Sequence, residues 1–193
     1  VDLTLAGPLW ETAATVARFT GIWIATLGLA FLIPIVGAVA QRRQLAASIH
    51  SVGTDPEEIL ALERESAEGF LNLHMLAWIP ELTLTTERHV TYPVLHYFHS
   101  PSRVSALPAA VTMAAILVDH DFPPNPKVDR TVTQPLENAI RHLLDTLHKG
   151  YPGEDEGTGT GKDEAAVSRS ELEEYLRRDG WDWQTLGLDP SRP

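Results

Sequence analysis

Eight histidines stand in a chain with no cysteine, so any transition-metal centre here would have to be built from imidazole and carboxylate. The densest group is His89, His96 and His99. His96 and His99 are spaced i, i+3, and His89 stands one heptad before His96, so on a helix the three share nearly one face. Imidazoles at such spacing can bind zinc or haem. No carboxylate joins that face at i+4, and Tyr92, Tyr97 and Phe98 crowd it, which favours packed or interfacial histidines over a metal or haem site. Asp119-His120-Asp121 is a second, weaker cluster and reads as a polar helix end. Gly157-Thr158-Gly159-Thr160-Gly161-Lys162 has the look of a phosphate loop but fails its spacing. Glu156 stands where a glycine is needed, Asp163 where Ser or Thr is needed, and no strand leads in.

Other catalytic arrangements are missing: there is no His-Glu-x-x-His, no nucleophile elbow and no dinucleotide turn. Glu57, Glu58, Glu63 and Glu65 read as a solvated acidic helix face, not as paired acid and base. The expectation is a protein that is not an enzyme and carries no cofactor or resident metal. A net charge of −11 argues against nucleic acid as a partner, since phosphate neutralisation needs clustered Lys and Arg. The lack of cysteine fits a reducing compartment for the polar part.

The element that dominates the chain is apolar. Residues 19–40 form a 22-residue run without a charge, followed directly by Gln41-Arg42-Arg43. As a helix this run is roughly 33 Å long, enough to cross a hydrocarbon core of about 30 Å. It is too long for a signal peptide, lacks a basic leader, and ends in arginines instead of a small-residue cleavage site. Gly21, Ala25 and Gly28 fall at i, i+4 and i+7 and make one face smooth, which favours close packing against another membrane helix. Pro34 removes a hydrogen bond to the Ala30 carbonyl and predicts a kink, with Gly37 adding freedom nearby. Arg42 and Arg43 against Arg18 place the C-terminal part in the cytoplasm by the positive-inside bias.

The rest reads as helices and linkers. Pro8 opens a helix that runs into the span and continues one or two turns past the arginines, stopping at Ser51-Val52-Gly53. Thr54-Asp55-Pro56-Glu57 forms a capping box with Thr54 at the cap. Residues 70–79 and 106–118 are apolar but have the length of buried core helices or re-entrant pieces. Residues 122–126 are a linker. Thr133 and Pro135 open an amphipathic helix with Leu136, Ile140, Leu143, Leu144 and Leu147 as its stripe, closed by Gly150. Residues 153–161 are a flexible linker, and Ser170-x-x-Glu173 opens a last helix ending at Gly180. Trp181-Asp182-Trp183 is either a docking peptide or the cover of an apolar patch. A weak strand signal lies at 82–86. The fold class expected is all-α: one transmembrane helix, a cytoplasmic helical region and a partly disordered acidic tail. The divisions fall at 1–18, 19–50, 54–121, 122–150 and 151–193.

Asp2-Leu3-Thr4-x-x-Gly7, followed by a long apolar helix, resembles the region just after the selectivity filter of bacterial potassium-channel-family proteins. Residues 92–100 also resemble the cytoplasmic extension of some bacterial ion-channel-family proteins. The first resemblance covers about 50 residues. It implies that Asp2 and Thr4 stand at the filter exit, Gly7 at the turn before the helix, and residues 19–40 in the inner, pore-lining helix. Gly28, Pro34 and Gly37 would then be the gating hinge, with Ile35, Val36 and Val39 at an apolar constriction. It further implies a homotetramer in the cell membrane with potassium as the permeant ion of the intact subunit. Val1 stands in place of the last filter glycine, Leu5 replaces a common proline, and the filter itself is absent from this chain, so outer helix and filter are expected upstream. The alternative is a single-pass membrane protein whose cytoplasmic helices bind a partner or sense a ligand. A third reading, a soluble or peripheral helical bundle, requires residues 19–40 to be buried.

Overall fold

The computed structural model describes residues 7–66, 69–119, 128–149 and 167–187. Within them every regular element is helical: α1 (Pro8–His50), α2 (Pro56–Glu65), α3 (Phe70–Thr91), α4 (Leu107–Val118), α5 (Arg130–Lys149) and α6 (Arg169–Arg178). Two short 3-10 turns, Pro93–Tyr97 and Arg103–Ser105, lie between α3 and α4. The all-α expectation holds, and the weak strand at 82–86 is instead part of α3. The chain divides into two units, Val1–Gly37 and Ala38–Pro193. Asp2 and Thr4, the linker at 122–126, the glycine-rich stretch at 153–161, and His120 and Asp121 lie outside the described residues.

The first unit is the N-terminal part of α1. Ile22, Trp23 and Ile24 point in three directions about 100° apart, yet are 64%, 67% and 65% exposed, so no face of this stretch is covered. A helix that is apolar all round and exposed all round belongs in lipid. Its hydroxyls are satisfied internally, as a bilayer demands: Thr15, Thr20 and Thr26 each donate to the carbonyl four residues back, at 2.8, 2.9 and 2.8 Å. A Cβ added at Gly21, Gly28 or Gly37 would meet nothing within 4 Å, so the smooth face is unused by the chain itself. The helix runs on without a break through Pro34.

The second unit is a helical domain with a single apolar core. The last turns of α1 contribute a stripe to it, with Leu45, Ala46 and Ile49 buried. Gly53 comes next; a Cβ there would come within 2.5 Å of the Ile59 side chain, so the turn into α2 needs glycine. The cap of α2 is Asp55, not Thr54: its carboxylate accepts from the Glu57 N–H at 3.0 Å. The apolar run at 70–79 extends through Pro80 into the 22-residue α3. It pairs most extensively with α5, whose expected stripe of Leu136, Ile140, Leu143, Leu144 and Leu147 is buried as a set. That helix begins at Arg130, ahead of Thr133, so Pro135 does not open it but lies inside it, where its ring forgoes the hydrogen bond to the Thr131 carbonyl. Eleven of the twelve residues of α4 are buried, so it is a central core helix packed against α2, α5 and α6. The last helix is capped two residues earlier than Ser170 suggests: Ser168 and Glu171 form the reciprocal box.

One expectation about surfaces is corrected. Glu63 is not solvated but fully buried, and its Oε2 accepts the Leu71 N–H at 2.8 Å. This N–H is one of the open donors in the first turn of α3, whose own cap residue, Gly69, is left-handed at φ 64° and provides no side-chain bond. A glutamate from α2 therefore does the capping that the local sequence lacks. Glu63→Ala is expected to lower the stability of this unit by about 1–3 kcal/mol, the cost of a buried donor left unmet, as read by chemical denaturation in detergent. The short helix expected in the tail packs inward, and the alternative left open for its tryptophans is resolved. Leu172, Leu176, Trp183 and Leu186 are buried in the core and Trp181 packs against it. The two indoles thus cover an apolar patch, and residues 167–187 are part of the domain.

Candidate functional site

The histidines converge, though not on one helix. His89 is on the last turns of α3, His96 is in the 3-10 turn Pro93–Tyr97, and His99 is in the coil beyond it. The common face expected from i, i+3 spacing does not exist, because Pro93 ends the helical register. A recess of about 270 Å³, counted out to its open mouth, gathers all three instead. Arg42 from α1, Leu147 from α5, and Tyr175, Arg178 and Asp179 from α6 and its C-cap complete the lining.

Arg42 organises it. Read from the sequence as a positive flank of the span, it is in fact buried, and Arg43 beside it is exposed. Arg42 Nη1 donates to the carbonyls of Leu95 at 3.1 Å and Phe98 at 2.8 Å, while Nη2 lies 3.4 Å from Asp179 Oδ1. The same oxygen is 2.7 Å from His99 Nδ1, so Asp179 joins the guanidinium and the imidazole. A planar guanidinium with a fork of fixed donors suits this three-way junction, and an ammonium would not reproduce it. Arg178 is held by Glu174 one turn back on α6. The junction ties the segment after α3 and the end of α6 to the last turns of α1. Asp179, Tyr175 and Arg178 were not singled out by sequence reasoning. Arg42 and Asp179 are 137 residues apart, and no local pattern pairs them.

His89 donates from Nδ1 to the Thr85 carbonyl at 2.8 Å, which leaves Nε2 as the acceptor. Its ring lies 5.5 Å from that of His96. Burial, opposed in part by that backbone bond and aided by Arg42 and His96, pushes the His89 pKa down to about 4. Burial, with Arg42 and Arg178, also lowers His96. Both rings are therefore neutral at pH 7. Among the described residues no group of three metal-ligating side chains is placed to hold an ion. The recess is built as a polar latch around Arg42 and Asp179.

The buried imidazole makes stability depend on pH. The unfolded chain takes up a proton on His89 near the ordinary value of 6.5, the folded domain near 4, so the unfolded state binds more protons between these values. Stability from this residue is fully present above pH 6.5 and declines as pH falls toward 4, by a total on the order of 3 kcal/mol. Denaturation midpoints measured across that interval are expected to fall with pH in the native chain and to fall less steeply in His89→Gln.

The span residues fall elsewhere. Gly21, Ala25, Gly28, Pro34 and Gly37 all belong to the first unit, and all are exposed. Ile35 is buried and Val36 exposed.

A helix long and apolar enough to cross a membrane, with 11% of its most apolar stretch buried, and a helical domain built onto its last turns make a membrane protein the class that fold and site describe. No family model matches the chain, and no solved structure matches it. It is 28% identical over 159 residues to the uncharacterized membrane protein YdjJ of Bacillus subtilis (strain 168), covering 78% of this chain and 45% of that protein. The chain thus spans somewhat under half the length of that relative.

Proposed function

We propose that this chain is part of a potassium-channel-like membrane subunit, in which α1 lines and gates the pore and the helical domain regulates it. The observation that carries the reading is the character of α1. Asp2-x-Thr4-x-x-Gly7 stands directly before it, and its apolar run is exposed on every side from residue 19 to 34. The face formed by Gly21, Ala25 and Gly28 is unused by the chain itself and free to pack against copies of the same helix. Four such helices would surround the pore, with the second unit cytoplasmic. Bending about Gly28, Pro34 and Gly37 would widen or close an apolar constriction at Val36 and Val39, where dewetting stops ion flow; Ile35, expected beside them, is buried within the chain. Because α1 also supplies Arg42, Leu45, Ala46 and Ile49 to the second unit, the latch and core of that unit would bias the bend.

The test begins with the reading frame upstream of Val1, which should encode a second apolar span and a Thr-x-Gly-x-Gly-like loop running into Asp2. The complete subunit, reconstituted in vesicles, is expected to pass potassium down its gradient, and substitution of a filter glycine should abolish the flux. Cross-linking should stop at a tetramer. A frame with no such loop, or a complete subunit that passes no potassium, sinks the channel reading and leaves a membrane-anchored helical domain that binds a partner or ligand.

A further inference from the structure

The second unit exposes six uncharged side chains between residues 90 and 98. Val90, Thr91, Pro93, Val94, Tyr97 and Phe98 all face outward, and none of them carries a charge at neutral pH. Val90 and Tyr97 are 61% and 76% exposed. In an acidic chain of net charge −11, such a run of exposed aliphatic and aromatic groups needs a partner that is not water.

The hydrogen bonds of Arg42 say which partner. Arg42 lies two residues, roughly 3 Å, beyond Ala40, where the uncharged run of α1 ends. Its guanidinium holds the Leu95 and Phe98 carbonyls at 3.1 and 2.8 Å. The segment carrying Val94, Tyr97 and Phe98 is therefore fastened, within one side chain's length, to a helix position just past the uncharged run, where the hydrocarbon would end if α1 crosses the membrane. The headgroup zone there is about 5–7 Å deep on each side of the bilayer. Tyrosine, with an apolar ring and a polar tip, is enriched at that depth.

We infer that residues 90–98 seat on the bilayer surface, with Val90, Val94, Tyr97 and Phe98 dipping into the headgroup–acyl boundary beside the end of α1. The inference rests on α1 crossing the membrane. The contact holds by apolar burial and not by charge, because an acidic domain is repelled by anionic lipid. It gives the latch a role: Arg42 keeps the lipid-facing segment and the membrane helix in register.

The absence of cysteine makes the test direct. Tyr97→Cys is labelled with a nitrobenzoxadiazole fluorophore, and the full chain is reconstituted in phosphatidylcholine vesicles with and without phosphatidylglycerol. Val94→Cys serves as a second position on the patch. Ile22→Cys marks the span and Glu58→Cys marks exposed protein surface. At Tyr97 and Val94 the expected result is strong quenching by spin-labelled lipid and severalfold weaker quenching by aqueous iodide than at Glu58, with no gain when anionic lipid is added. Iodide access equal to that at Glu58, with Ile22 still quenched by lipid, overturns the inference and leaves the span intact. Protection from both quenchers overturns it in favour of a second copy covering the patch. Loss of lipid quenching at Ile22 overturns it together with the membrane reading of α1.

Discussion

Arg42→Ala is expected to destabilise the second unit by about 3–5 kcal/mol, the range for removing one partner of a buried charge pair. The change strips the Leu95 and Phe98 carbonyls of a charged donor and leaves the buried Asp179 with His99 alone. Arg42→Lys should recover part of the loss at most, since a single ammonium cannot serve two carbonyls and a carboxylate in the observed geometry. Thermal unfolding of the full chain in detergent, followed by the fluorescence of Trp78, Trp181 and Trp183, measures the effect. Limited proteolysis gives an independent readout, with cleavage gained around Arg177 and Arg178 as the end of α6 comes loose. An unchanged melting profile would mean that Asp179 and the two carbonyls are satisfied by water, and that the latch has no energetic content.

Trp78→Ala is expected to cost a similar amount, about 3–5 kcal/mol, but through a different mechanism. Trp78 is among the largest fully buried side chains and sits in the core that also contains Leu45, Ala46 and Ile49 of α1. Its removal leaves a cavity that the rigid neighbours cannot fill, and the surrounding contacts are lost outright. Trp78→Phe, which keeps most of the apolar volume, should cost much less. Both alanine variants should leave the membrane insertion of α1 intact, because the span is held by lipid and not by this core. Protease protection of the span in vesicles checks that separation. If the complete subunit conducts, both variants should also alter its open probability, since each loosens the domain that holds the last turns of α1.

Residues 19–40 were legible as a span because a bilayer imposes one simple demand, a long run without charge, and a single helix meets it alone. The stripe on α5 was legible for a related reason: five residues at helical period state which face is buried, whatever buries it. The length of the apolar run of α4 left a core helix or a re-entrant piece open, and its packing makes it core. Boundaries were less secure where two residues could both cap, as with Thr54 against Asp55 and Ser170 against Ser168, because the choice turns on backbone angles that composition does not specify.

The linear order of the chain could not express which charges are buried. Arg42 reads as a flank of the span and Glu63 as part of an acidic face, since each sits among charged neighbours. Tertiary packing decided otherwise. Glu63 turned inward to meet an open N–H of α3, and Arg42 turned toward two carbonyls and a carboxylate 53 to 137 residues away. The histidines illustrate the same division. Their types and closeness are visible in the sequence, but the helical face that seemed to unite them ends at Pro93, and their meeting depends on the chain folding back onto α1. By itself the sequence determined the membrane helix and the helical character of the remaining chain, because periodicity and hydropathy are local properties. Only the tertiary structure decided the polar latch on α1, because a buried charge is stabilised by partners that distance along the chain does not reveal.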